Sequence, residues 1–390
     1  MNLSAAFGAG VGVGSSSYLS VKLGQKDYST AQRILGNNVT LNVIIGLLFS
    51  VVSLLFLDPI LFFFGASEQT LPYAREYMVI ILLGNIITHL YFGMNAVLRA
   101  ASKPREAMYT TIFTVVFNSL LDPLFIYTFD MGIRGAAIAT ILSQTVALVW
   151  QIRLFSDKSQ LLHLKRGIYK LDNTIVKNIL GIGISPFAMN ATACLVAIFV
   201  NQRLLEYGGD LAVGAYGIAN RVAFIFIMIN FGVNQGMQPI AGYNYGAQNY
   251  DRLMRVLKLA MIAGTCITTS GFLVAEFIPH ICVRLFTSDS RLTELSVNGL
   301  RIMMAAMPIV GYQMIVTNFF QSIGKAKISI FLSLSRQLLF LVPLIGVLPL
   351  FFGVNGVWVA MPISDSFSAL FALVMMVRYM RMFKKLQANG

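Results

Sequence analysis

Two carboxylates stand where an apolar sequence should not carry charge. Asp122 and Asp365 both fall in the middle of long hydrophobic stretches. A charge there is costly, so a residue that keeps one is a candidate for function. Asp122 lies in NSLLDP. On a helix, Asn118 is one turn earlier on the same face. Pro123 follows, has no N–H to donate, and should loosen the helix and free a carbonyl. A carboxylate, a carboxamide and a freed carbonyl on one face suit a small cation or a proton. Thr140 supplies a hydroxyl at matching depth. Asp122 is eight residues before Asp130 and Thr140 eight residues after Gly132, so both lie roughly 12 Å below the outer surface. Asn118, Asp122 and Thr140 are therefore expected to share one pocket. The alternative is a structural polar cluster that holds helices together.

Asp365 follows Pro362 and Ser364, and Arg336 on the preceding segment is placed to pair with it. That pair serves either structure or transport. Asn230, Asn234, Gln235 and Gln238 form a polar stripe before Pro239 that either lines a cavity or bridges helices. His89, in a segment that also carries Asn85 and Asn95, reads as a satisfied core histidine before a proton relay. Glycines 8, 10, 12 and 14 look superficially like a nucleotide loop, but no strand precedes them. Close helix approach explains them better. Cys194, Cys266 and Cys282 have no CxxC partner and no nearby His, so they read as small buried hydrophobes, and neither a disulfide nor a metal is expected. The sequence contains no P-loop, HExxH or GxSxG and so no set of residues for an enzyme.

The elements that must position these residues follow from composition. The 390 residues are 57% hydrophobic and 12% charged, against roughly 25% charged in a soluble domain. Apolar runs long enough to span a bilayer recur along the chain, and they are continuous rather than alternating. The fold class is therefore all-α membrane protein. About eleven segments are expected, at 1–22, 38–58, 76–100, 106–130, 133–155, 175–204, 211–243, 254–280, 297–320, 328–352 and 354–380. The net charge of +13 would suggest nucleic acid in a soluble protein, but here its placement explains it. Most of the 29 Lys and Arg share one side, from Lys22, Lys26 and Arg33 through Lys165, Arg166 and Lys170 to Arg378, Arg381, Lys384 and Lys385. That side is the cytoplasm, and the C-terminus lies there. No nucleic-acid partner is expected.

The chain also repeats itself. LGQKDYSTAQRIL matches YGAQNYDRLMRVL, pairing Gly24 with Gly246, Tyr28 with Tyr250 and Arg33 with Arg255. The same offset pairs Phe64 with Phe286 and Lys103 with Lys325. GIRGAAIATILS matches GVNGVWVAMPIS one residue out of that register. Matched loops share a side, so the repeats are parallel, related by a pseudo-twofold along the membrane normal. The expected organisation is an N-lobe over 1–160, a cytoplasmic linker over 161–173 and a C-lobe over 174–390. The segment at 175–204 has no counterpart in the first half. The first lobe is thus expected to be a six-helix unit without its first helix, with a groove beside Asn118 and Asp122. The halves are chemically unequal, because Leu344 stands at the position matching Asp122.

The Gly-rich helix running into SVKLGQKDYSTAQ, together with LFFFGASEQTLPYAREY, NSLLDPLFIYTFDMGIRGAAIAT, QGMQPIAGYNYGAQNYDR and GVNGVWVAMPISD, resembles the MATE (multidrug and toxic compound extrusion) family, in its DinF-like branch. The resemblance covers nearly the whole chain. It implies two six-helix lobes, alternating access and a multi-pass protein of the cytoplasmic (inner) membrane. It implies antiport, with Na⁺ or H⁺ entering as coupling ion and amphiphilic, often cationic, small molecules leaving. No cofactor is implied, and the expected form is a monomer among membrane lipids. Asn118, Asp122 and Thr140 match the branch's N-lobe cation site. The family's other acidic ligand lies on the first helix, for which this sequence has no counterpart. A lipid-linked oligosaccharide flippase of the same superfamily is the alternative, and it would favour a strongly cationic cavity.

Overall fold

A computed structural model of the chain describes residues 2–63 and 67–388. The described residues are helical throughout, with no strand. Two compact units divide them, Met1–Phe187 and Ala188–Gly390. The division falls inside a long helix, so the 161–173 stretch packs as part of the first unit.

The first unit holds α1 (Asn2–Gly24), α2 (Tyr28–Leu55), α3 (Leu57–Phe63), α4 (Leu71–Leu83), α5 (Asn85–Ala100), α6 (Pro104–Pro123), a π-helical segment Leu124–Thr128, and α7 (Gly132–Ser156). Next comes α8 (Asn173–Gly246), which crosses from the first unit into the second. The second unit continues with α9 (Tyr250–Phe277), α10 (Pro279–Arg284), α11 (Ser290–Met304), α12 (Met307–Ser322), α13 (Ala326–Leu334), a π-helical segment Ser335–Leu341, α14 (Val342–Phe352) and α15 (Val354–Ala388).

The repeat is written into the punctuation. α2 begins after Lys26, which has φ 59°, and is capped by Asp27, whose side chain accepts from the Thr30 N–H. Its counterpart α9 begins after Gln248, which has φ 56°, and is capped by Asn249, which accepts from the Arg252 N–H. Ser102 just past α5 has φ 63°, and Gly324 just past α12 has φ 75°. α7 and α15 start at or beside Gly132 (φ 54°) and Gly353 (φ 56°). A left-handed residue stops one helix and a short polar cap starts the next, so each half turns at the same places. Phe64, one member of the sequence repeat, lies outside the described residues.

Desolvation pushes the Asp27 carboxyl up, but hydrogen bonds from Thr30, Lys22 and Ser29 outweigh it and hold it at about 2, below the ordinary 3.8. The cap's contribution is therefore present above the ordinary value and lost as pH falls toward the folded one. Asp27→Ala should destabilise the first unit by about 1 kcal/mol. A thermal melt at neutral pH checks this, and a difference that persists unchanged at pH 2 would contradict the cap's role.

Among the described residues, seven helices are long and apolar enough to cross a membrane, or up to nine spans if each of two bent pairs is counted as one. This is a multi-pass membrane protein. α8 has 74 residues and is broken at Gly209 (φ 64°), between the segments expected at 175–204 and 211–243. The segments expected at 76–100 and 297–320 need correction. Each is two helices, α4 with α5 bent by 53° and α11 with α12 bent by 50°. Pro308 in the first turn of α12 explains the second break, because it has no N–H to continue the α11 ladder. The first breaks at Gly84, which caps α4 and matches Ala306, the cap of α12, in the repeat. α1 is helical but does not rank with the apolar spans. Its Ser15, Ser16, Ser17 and Ser20 are buried inside the unit instead of facing lipid.

The α1 glycines serve two contacts. A Cβ on Gly8 would lie 3.1 Å from His89 Cγ, and one on Gly12 would lie 3.2 Å from Gly93 Cα, so this face lies on α5. Gly10 and Gly14 lie on the opposite neighbour, the start of α8, against the carbonyls of Gly183 and Ile179. Spacings of four put each pair on one face. Gly14→Leu should prevent a monodisperse unit from forming, because its Cβ meets rigid backbone. Gly181→Ala, with nothing within 4 Å, should be neutral or slightly stabilising. Size-exclusion profiles of the two variants decide this, and a normal profile for Gly14→Leu would refute the packing.

The stretch between α7 and α8 is strapped to α2. Asn37 Nδ2 donates to Lys170 O at 3.2 Å and its Oδ1 accepts from Asp172 N at 3.0 Å. Thr40 Oγ1 donates to Tyr169 O at 2.9 Å, and Arg33 pairs with Asp172 at 3.1 Å. The second unit's core gathers around Trp358, fully buried beside Gly299. The cysteines correct an expectation: Cys194 and Cys266 are exposed and Cys282 is half-buried. In a membrane protein an apolar residue is at home on the outer surface, so apolar surroundings in sequence did not imply burial.

Candidate functional site

Asp122 sits in the last turn of α6, and Pro123 directly after it passes the chain into the π-helical segment Leu124–Thr128. A wide turn of this kind is common at functional sites. Asn118 Nδ2 donates to Asp122 Oδ1 at 3.1 Å, so the expected pair one turn apart is made. The segment after Pro123 closes on α7 at Gly135, where a Cβ would lie 2.8 Å from Phe125 C. Thr140 is half-buried on α7, but its hydroxyl donates to Ala136 O of its own helix at 2.9 Å. Thr140 is thus on the neighbouring helix and is not bonded to Asp122. Tyr77 on α4 lies within electrostatic reach of the Asp122 carboxylate. The sequence reading missed it, because the α4–α5 bend that sets its position leaves little trace in composition.

Asp122 forms no ion pair among the described residues. That distinguishes it from Asp58, Glu76, Asp172, Glu206 and Asp365, each of which has an arginine within 4.0 Å. A carboxylate inside a span with no cationic side chain must bind a proton or a cation, or bear the full cost of a bare charge.

Asp365 lies in α15 and is buried. Its Oδ1 takes the Arg336 Nε at 2.6 Å. Arg336 belongs to the second π-helical segment, and Ser364 Oγ donates to its carbonyl at 2.6 Å. The pair borders a cavity of about 130 Å³ within the second unit, together with Tyr216 and Asn220 of α8. Neither of those residues was singled out from sequence, although their i, i+4 spacing puts them on one face.

The Asn230, Asn234 and Gln238 side chains are buried in the second unit, and Gln235 is half-buried. Asn230 Nδ2 points at Met314 Sδ at 3.5 Å, and Asn234 Nδ2 donates to Asn230 O at 3.3 Å. The Oδ1 atoms of both asparagines are buried without a hydrogen bond. His89 is fully buried between Gly8 of α1 and Gly46 of α2. No group of three or more His, Cys, Asp and Glu among the described residues could hold a metal ion.

The chain is 28% identical to the multidrug export protein MepA of Staphylococcus aureus (strain N315) over 363 residues, covering 93% of this chain and 80% of that protein. MepA of Staphylococcus haemolyticus is 28% identical over 368 residues, covering 94% and 81%. The MATE multidrug transporter DinF-BH, solved with a ligand bound, superposes with a TM-score of 0.89 at 33% identity, covering 97% of this chain and 85% of that one. An outward-facing multidrug resistance MATE transporter of the MOP superfamily superposes at 0.92 with 24% identity, covering 98% and 86%, which supports the fold. The MatE family model matches residues 1–124 and 184–345. With its repeated helical halves and its Asp122 and Asn118 pair, the chain belongs to the MatE (MATE) family.

Proposed function

We propose that this protein is a secondary active antiporter that exports amphiphilic, often cationic, small molecules in exchange for Na⁺ or H⁺ by alternating access. The observation that carries the reading is Asp122: a carboxylate within a membrane span, oriented by Asn118, with no cationic side chain among the described residues to neutralise it. In this reading the coupling ion binds Asp122 from outside, with Thr140 turning to join it from α7. Ion binding favours one access state and lowers affinity for the exported compound, and the exported compound lowers affinity for the ion to the same degree. The likeness to MepA, a multidrug export protein, and to DinF-BH, a multidrug transporter, supports a small organic cargo. The protein works as a monomer in the cytoplasmic (inner) membrane, with its C-terminus inside, and it needs no cofactor and performs no enzymatic step. A flippase for lipid-linked pyrophosphates gains no support, because it would favour a strongly cationic cavity, and Arg336 is the one basic side chain lining the cavity of the second unit that Asp365 borders.

Reconstituted vesicles loaded with a fluorescent organic cation test this. An inward Na⁺ or proton gradient should drive efflux, and dissipating the productive gradient should stop it. Efflux indifferent to both gradients would remove antiport.

A further inference from the structure

The Arg336–Asp365 pair is not a closed ion pair, and its open side faces a cavity. Only the Arg336 Nε is engaged, by Asp365 Oδ1 at 2.6 Å. The two Nη groups have no hydrogen-bond partner among the described residues, and the Arg336 side chain keeps 30% of its surface free. A guanidinium presents five N–H donors in a rigid fork, and a single bond through Nε leaves the other four unused. Tyr216 and Asn220 line the same cavity, and neither side chain forms a hydrogen bond among the described residues. The polar side of the cavity is thus rich in donors: a guanidinium fork, a phenol and a carboxamide. The rest of the lining is apolar and adaptable, with Met303, Met307 and Met361 among its walls. Methionine fills irregular space and accommodates different guests.

We propose that this cavity in the second unit is a binding site for the carboxylate of a small amphipathic organic acid, with the Arg336 Nη groups as its anchor. Asp365 holds the guanidinium in place and neutralises it when the site is empty, so no bare charge is stored in the membrane. The carboxylate takes the Nη fork with help from the Tyr216 O–H and the Asn220 Nδ2, and the tail lies among the methionines. The volume, about 130 Å³, matches the roughly 150 Å³ that accepts a benzene-sized guest. The site therefore takes a short acid, or the acidic end of a longer compound lying out past the exposed Asn220. The π-helical segment starting at Ser335 is the local device that points Arg336 inward, as the first unit's π-helical segment adjoins Asp122. The proposal stands apart from coupling at Asp122, because it is read by binding alone.

The fold supplies its own reporter. Trp358 lies 6.1 Å, ring to ring, from Tyr216, and Trp150 is the chain's other tryptophan. A Trp150→Phe background leaves Trp358 as the sole indole. In lipid nanodiscs, hexanoate should change Trp358 emission saturably. Hexanamide and hexylammonium should bind at least about tenfold more weakly, the loss expected when a charge-assisted bond is removed. Arg336→Lys keeps the charge but not the fork and should weaken hexanoate several-fold. The combined Arg336→Gln and Asp365→Asn variant should lose hexanoate binding. Equal binding of hexanoate and hexanamide would overturn the proposal. So would preference for hexylammonium, which would assign the cavity to Asp365 as a cation site. Unchanged affinity in Arg336→Lys or in the combined variant, or a silent Trp358, would overturn it as well.

Discussion

Asp122→Asn should reduce gradient-driven efflux to the level of protein-free vesicles while leaving membrane insertion and yield near wild type. The substitution is nearly isosteric and keeps an acceptor oxygen for the Asn118 Nδ2, so the α6 turn before Pro123 should survive. It removes the negative charge that an incoming proton or Na⁺ must neutralise. Because Asp122 has no ion-pair partner to strand, its replacement leaves no orphaned charge, and the usual destabilising route is absent. Thr140→Val should have a much smaller effect, since the Thr140 hydroxyl is spent on Ala136 O. Downhill binding of the organic cation should persist in Asp122→Asn. Full coupling in a well-folded Asp122→Asn protein would refute its role, and coupling lost in Thr140→Val to the same extent would make the hydroxyl an equal ligand.

What could be read from the chain beforehand follows a physical division. The repeat was legible because it lies in residues that set backbone conformation and caps. Asp27 and Asn249, or Gly132 and Gly353, do their work within a few residues of sequence. The Asn118–Asp122 bond was legible for the same reason, as both ends share one helix. Partners that depend on how one helix is rotated against another were harder to read. Thr140 was expected at matching depth, but depth does not say which way a hydroxyl turns, and its own helix offered a carbonyl. Tyr77, Tyr216 and Asn220 were missed because bends and π-helical segments move side chains around the axis without altering hydropathy. The glycines of α1 were understood as contacts, yet their division into two faces against two helices emerged only from the packing.

Arg336 and Asp365 should show the opposite pattern from Asp122. Each is the other's neutralising partner inside the second unit, with Asp365 only 8% exposed. Removing one partner leaves an uncompensated charge inside the second unit, and such losses run to about 3–5 kcal/mol for a buried pair. Asp365→Asn alone and Arg336→Gln alone should therefore lower yield and thermal midpoint sharply. The two together replace an ion pair by a neutral amide pair of similar shape and should recover most of that loss. The recovery is the diagnostic, because independent sites would add their costs. Thermal melts of the three variants in one detergent give the coupling directly. The Ser364 bond to the Arg336 carbonyl does not depend on either charge, so the α15 contact with the π-helical segment should persist in the double variant. Additive destabilisation would mean that the pair does not hold the unit together. A stable Asp365→Asn protein that loses gradient coupling would move the coupling site from the first unit to the second.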